Sequence, residues 1–207
     1  MHDVLTRQLA DHLRAVEGTR GLLPALDRVA KDLIGVYSGD GRLYTFGNGG
    51  SAADAQHLAA ELVGRYLRER RPLAAVSLTT DPSVVSCIAN DYDFGDLFAR
   101  QVQALARPGD MVAAFTTSGR SPNVVRGLAA ARAAGAVTVL FTGGGRHGGE
   151  AGRKEPPAAE YADHVLMVPA TATARIQEMH LLLLHLLSEQ VDAWAAGTDH
   201  DLAPSRP

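Results

Sequence analysis

His57 and Glu61 stand four residues apart in the stretch FGNGGSAADAQHLAAEL, residues 46 to 62. On a helix that spacing puts an imidazole and a carboxylate on one face, within reach of one metal ion or one substrate. Alone, His57 reads as a half-buried structural histidine and Glu61 as part of a solvated helix face. Their neighbours change that reading. Just before them come Gly47, Asn48, Gly49, Gly50 and Ser51, a turn of small residues between an apolar run and the helix. Ser51 is the expected N-cap. A glycine turn feeding a helix start exposes backbone N–H groups and the positive end of a helix dipole, which suits a phosphate. An anion cradle beside an acid–base or metal-binding pair points to an enzyme acting on a phosphorylated small molecule.

A second turn has the same character: Thr116-Thr117-Ser118-Gly119-Arg120-Ser121-Pro122. Ser121 and Pro122 suit an N-cap and a first helical residue. Four hydroxyls in six residues exceed what one cap needs, and neutral donors with backbone N–H groups hold a phosphate monoester without the grip of several cations. Further on, the segment RIQEMHLLLLH places Gln177, His180 and His185 on an otherwise apolar helix. His185, between leucines, is expected to face inward, where it needs a partner such as a metal or substrate. Asn90-Asp91 ends a helical stretch and reads either as a plain turn or as a donor–acceptor pair for sugar hydroxyls. Gly47, Gly49 and Ala52 also fit the G-x-G-x-x-A of dinucleotide sites. The acidic residue expected at the end of the next strand is missing there, Asp81 lying about 30 positions on. No Lys-Ser/Thr follows the glycines, which excludes a phosphate-binding loop of the NTPase type.

The elements that must carry these turns are legible. Apolar segments at 42 to 46, 74 to 78, 111 to 115, 136 to 141 and 163 to 168 alternate with helical patterns. That alternation predicts an α/β fold with a parallel sheet covered on both faces. Amphipathic helices at 3 to 16 and 23 to 37 precede it, and a long helix, 173 to 195, closes it. Ligands of such sheets sit at the carboxyl ends of the strands, where the turns after Phe46, Leu78, Phe115 and Phe141 all fall. Residues 142 to 160 read as a mobile loop and 198 to 207 as a flexible tail, leaving a single domain over 1 to 197. A net charge of −3 with no basic block gives no footprint for nucleic acid. Cys87, the only cysteine, excludes an internal disulfide and suits a reducing cytoplasm. The start, MHDVLTRQLADHLRAVEG, lacks the features of a signal peptide. The longest apolar stretch, Leu181 to Leu187, is interrupted by His185 and too short to span a membrane.

Together these segments resemble the sedoheptulose 7-phosphate isomerases (phosphoheptose isomerases) of the sugar isomerase (SIS) domain superfamily. The resemblance covers nearly the whole chain. It is carried by GNGGSAADAQHLAAEL, RPLAAVSLTTDPSVVSCIANDYDFGDLFARQV, TTSGRSPNVV and RIQEMHLLLLH. It implies a three-layer α/β/α sandwich of flavodoxin-like type, with a five-stranded parallel sheet preceded by N-terminal helices. It also implies a homotetramer with sites at subunit interfaces, and interconversion of sedoheptulose 7-phosphate and D-glycero-D-manno-heptose 7-phosphate. One zinc per subunit is implied, with His57, Glu61, Gln177 and His185 as its ligands. Substrate contacts are implied for Asn48, Gly49, Gly50, Glu61, Asn90, Asp91, Thr116, Thr117, Ser118, Ser121 and Gln177, with Ser51 completing the first turn. Three positions depart from the family pattern: Thr116 for serine, Arg120 for asparagine, and Ala174 for an aspartate.

The chemistry such a reaction needs can be set against these residues. Moving a proton between neighbouring carbons through an enediolate needs a base, a manager of hydroxyl protons and positive charge near the oxyanion. Glu61 is the candidate base and His185 the complementary acid–base group. Ligation of zinc makes a carboxylate a poorer base, so Glu61 is expected to change its coordination in turnover. Two other readings stand beside this one. Some relatives on the scaffold are interaction proteins that bind a replication initiator, but they lack the glutamate and the histidine that this chain has. Others isomerise a different sugar phosphate. Gln177 and His185 also pose a geometric question, being about 12 Å apart along a straight helix with about 80° of rotation between them. A local bulge, a Gln177 that serves only the substrate, or a Gln177 arriving from a neighbouring copy would each resolve it; the last is the expectation.

Overall fold

Alternate residues of each strand point to opposite faces of a sheet, and here both sets are apolar. Leu43, Met111, Ala113, Phe115, Val139 and Phe141 belong to one core, while Tyr44, Phe46, Val112, Ala114 and Leu140 belong to a second. Such strands are stable only with helices on both sides. A computed structural model of the protein, describing residues 2–144 and 155–197, has that architecture. The predicted flexible tail and the middle of the predicted 142 to 160 loop lie outside the described residues.

The chain begins with α1 (His2–Thr19) and α2 (Leu23–Ser38), then alternates β1 (Leu43–Gly47), α3 (Gly50–Val63), β2 (Ala75–Ser77), α4 (Pro82–Asp91), α5 (Leu97–Leu105) and β3 (Met111–Phe115). It continues through α6 (Pro122–Ala133), β4 (Val137–Gly143), β5 (His164–Val168) and α7 (Thr173–Ala195). The five strands are parallel in the order β2-β1-β3-β4-β5. From β1 the connections run outward in opposite directions, so the crevice between β1 and β3 is the switch point of a flavodoxin-like sheet. Gly47 and Phe115 pair there, at the carboxyl ends of the two strands.

One core gathers α2, α3 and α7 on one face; the other gathers α4, α5 and α6. The helices α3 and α7 pack side by side and both start at the carboxyl edge of the sheet. Beyond α3 the chain runs without regular structure to β2, held by a buried carboxylate. Asp192 of α7 accepts from the backbone N–H of Leu67 (3.1 Å) and Arg68 (2.7 Å) and from Nε of Arg70 (3.0 Å). Arg70 also donates to the carbonyls of Glu61, Leu62 and Gly64, occupying the open end of α3. Among the described residues no helix is long and apolar enough to cross a membrane.

Candidate active site

At the switch point three helices begin without a side-chain cap. Gly49 holds the N-cap position of α3, Ser121 that of α6 and Ala172 that of α7, and none makes a capping side-chain bond. By contrast, Asp81 caps α4 by accepting from the N–H groups of Ser83 and Val84. The expected cap at Ser51 is thus corrected: α3 starts two residues earlier, and Ser51 lies buried in its first turn. The cause is Gly49, whose φ of 56° turns the chain into the helix in a conformation that side chains disfavour. Ser121 does occupy the predicted cap position, but its hydroxyl is left for another use.

These starts converge on a cavity of about 310 Å³ lined by Asn48, Gly49, Gly50, Ser51, Phe115, Thr116, Thr117, Ser118, Ser121, Thr173 and Gln177. Nine of the predicted substrate-binding residues, Ser51 and Gln177 among them, meet here. Within the turn, the Thr116 hydroxyl accepts from Gly119 N–H and the Ser118 hydroxyl from Arg120 N–H, both at 3.2 Å. Their own O–H groups remain as donors. Open helix N–H groups, hydroxyls and three dipole ends are donors suited to an anion, and no cation is among the lining residues.

Two residues reach the site that the motifs did not single out. Thr173 lines the cavity from the start of α7. Asn123, 2% exposed, exchanges both amide bonds with Asn48, at 2.9 and 2.8 Å. This reciprocal pair ties the glycine turn after β1 to the first turn of α6. The predicted contact Asn48 therefore has its side chain already engaged.

Two helical turns further along α3 and α7, a second group converges. The Nε2 atom of His57 lies 2.9 Å from a Glu61 oxygen and 3.3 Å from Nε2 of His185. One ligand atom from each of these three residues lies within 4.8 Å of the others. Two imidazole nitrogens and a carboxylate oxygen facing one another are lone-pair donors of the kind zinc takes, so the residues fit such an ion. Burial lowers the pKa of His185, as does nearby His57, against the opposing pull of Glu61. The lowering favours the neutral imidazole, the form that binds metal. Tyr66 stacks on His185, and its phenol is raised by burial first and then by the carboxylates of Glu189, Glu61 and Asp192.

Asp54 occupies the same face of α3, one turn before His57. Its Oδ2 is buried without a hydrogen-bond partner, and burial raises its pKa to about 6 despite the pull of His57. The motif reading passed over this residue. The periodicity that groups 54, 57 and 61 was readable; its desolvation was not.

Gln177 lies elsewhere along the helix. Helix α7 is unbroken from Thr173 to Ala195, which removes the bulge from the three expected outcomes. The amide of Gln177 faces Gly50, where a Cβ would fall 2.5 Å from Nε2. Within one chain Gln177 thus belongs with the hydroxyl cavity. Asn90 and Asp91 are exposed, bonded to each other at 2.8 Å, and do not line that cavity. His180 is fully buried, edge-on to Phe115 and Phe141, with burial lowering its pKa to about 4. It is a core residue.

Comparison with known proteins agrees with the fold. Residues 6–143 match the family described as SIS domain. A phosphoheptose isomerase of Paramagnetospirillum magneticum is 47% identical over 194 residues, 93% of this chain and 96% of its own length. One from Aquifex aeolicus is 52% identical over 151 residues, 73% of this chain and 74% of its own. Among solved structures, phosphoheptose isomerase GmhA from Neisseria gonorrhoeae superposes with a TM-score of 0.81 at 38% identity, covering 93% of this chain and 98% of that one. The chain belongs to the phosphoheptose isomerase family of SIS-domain proteins.

Proposed function

We propose that this protein interconverts sedoheptulose 7-phosphate and D-glycero-D-manno-heptose 7-phosphate. The observation that carries this reading is the pairing of two sites on the same two helices: a hydroxyl-lined anion cavity and, two turns away, an imidazole–carboxylate–imidazole group. The phosphate binds at the Thr116–Ser121 turn, and the sugar chain runs from there toward Glu61. Glu61 takes the proton from C1 of the ketose as the C1–C2 double bond of the enediolate forms, then returns it to C2. His185 moves the hydroxyl proton from O1 to O2 as the carbonyl passes from C2 to C1. His57, Glu61 and His185 would hold a zinc ion, with Gln177 as a further ligand or a substrate contact. Zinc bound there supplies positive charge that polarises the carbonyl and hydroxyl oxygens.

The reading includes a homotetramer whose copies complete each site. Two observations support it. Asn90 and Asp91, assigned to substrate, lie off the cavity of their own chain. Val63, Leu67 and Leu186, within two residues of Glu61, Tyr66 and His185 in sequence, are exposed apolar side chains close to the acid–base group. A cytoplasmic setting is in keeping with Cys87 as the one cysteine.

A coupled assay over five-, six- and seven-carbon ketose phosphates tests the activity. The seven-carbon substrate is expected to be preferred. Glu61→Gln and His185→Ala are each expected to lower turnover about 10²–10⁴-fold, the usual contribution of an acid–base group. Circular dichroism should stay unchanged. Near-native turnover in either variant would overturn the assigned roles, and preference for a shorter sugar would reassign the substrate.

A further inference from the structure

The imidazole of His185 is cornered by two rings. His57 meets it edge-on, with centroids 4.9 Å apart and planes at 75°. Tyr66 lies against its face, at 5.6 Å and 26°. Such an offset stack contributes beyond the area it buries and fixes the plane of the smaller ring. Without it, the broad χ2 torsion of histidine leaves that plane loosely defined.

Tyr66 itself sits in the irregular segment after α3, between Arg65 and Leu67, both exposed. Segments of this kind ordinarily wander. This one is pinned, because the next two backbone N–H groups, of Leu67 and Arg68, both end on Oδ2 of Asp192. Asp192 and its partner Arg70 have side chains 0% and 1% exposed. Arg70 in turn holds the Glu61 carbonyl at 2.7 Å. Asp192 lies seven residues after His185 on α7, so the two share a helix face. One buried clasp thus connects the helix end carrying Glu61, the helix carrying His185 and the segment carrying Tyr66. Buried ion pairs add little net stability against apolar replacements. What this clasp distinctively supplies is register.

We propose that Tyr66 is a positioning residue for His185, its ring held by the Asp192–Arg70 clasp so that Nε2 of His185 stays aimed at His57 and Glu61. The proposal rests on the reading of His185 as an acid–base and metal-binding group. The Tyr66 hydroxyl has no hydrogen-bond partner among the described residues, so the aromatic face acts and the hydroxyl does not. Partners that orient a metal-binding histidine are worth about 10–100-fold in metal affinity or activity.

The test uses chelator-stripped protein titrated with Co²⁺ against a competing chelator, with kcat and KM on the seven-carbon substrate and NMR of the His185 ring in the metal-free protein. Tyr66→Phe is expected to match the native protein in all three. Tyr66→Ala and Tyr66→Leu, the latter keeping apolar volume without a π face, are expected to weaken Co²⁺ binding about 10–100-fold. Both should lower kcat more than they change KM, and both should shift the His185 ring signals. Native Co²⁺ affinity with unmoved ring signals in Tyr66→Leu would overturn the proposal. If His185→Ala bound Co²⁺ as the native protein does, the metal reading would fall, while the ring signals would still decide the role of Tyr66.

Discussion

Asp54 shows how a residue inside a motif can matter without being one of those the motif singles out. It shares a helix face with His57 and Glu61, yet one of its oxygens is buried and unpaired, and its pKa is raised from 3.8 to about 6. Between those values the folded state holds a proton that the unfolded chain has released, so stability falls as pH rises toward 6. Above pH 6 the ionised carboxylate is a standing penalty on the fold. Asp54→Asn is therefore expected to stabilise the metal-free protein above pH 6, with the advantage shrinking toward pH 4. Because the side chain is partly exposed, screening limits the gain to on the order of 1 kcal/mol. Thermal melts across that range check it, and a difference independent of pH would rule the explanation out. A carboxylate destabilised by burial beside His57 is a candidate functional group.

At the scale of elements, the strands were legible within two residues because parallel strands buried on both faces leave short apolar runs punctuated by turns. The two turns that line the cavity were legible for a similar reason, as glycine and hydroxyl density is local. What escaped is what depends on distant partners. Asn123 reads as an ordinary residue after Ser-Pro, and only the folded chain shows it joined to Asn48, 75 positions away. The cap at Ser51 failed because two small residues competed for one role, and backbone conformation chose Gly49. Since the Asn48–Asn123 pair sets the spacing of the two turns, Asn123→Ala is expected to raise KM more than it lowers kcat, the pattern of lost ground-state binding. Leaving the Asn48 amide without its partner should also cost about 1–3 kcal/mol. Steady-state kinetics and denaturant melts measure both, and an unchanged KM would separate the pair from the cavity.

At the scale of the whole molecule, the apolar face of α1 stands open, with Leu5, Leu9 and Leu13 exposed by 66%, 61% and 60%. A stripe at four-residue spacing is the pattern of a helix that packs against something, which accords with the proposed tetramer. Mixing refolded Gln177→Ala and His185→Ala chains, each inactive alone, is expected to restore activity if sites draw on neighbouring copies. Mixed oligomers that stay inactive, or a fully active monomer, would place the whole site within one chain. Here the sequence offered the question and not the answer: spacing along α7 revealed that Gln177 and His185 diverge, but no pattern in one chain shows what a second copy contributes.

The contact between Gly50 and Gln177 has an evolutionary consequence. Any Cβ at position 50 overlaps the glutamine amide, but that amide ends a flexible side chain and swings aside while the sheet and helices stay packed. On the proposed reading of Gln177, a single mutation there would disturb the site and spare the scaffold. A duplicated copy would therefore drift from catalyst to pure binding protein without passing through an unfolded ancestor. The return path is harder, because glycine at 50 and glutamine at 177 must both be present before either is favoured by selection.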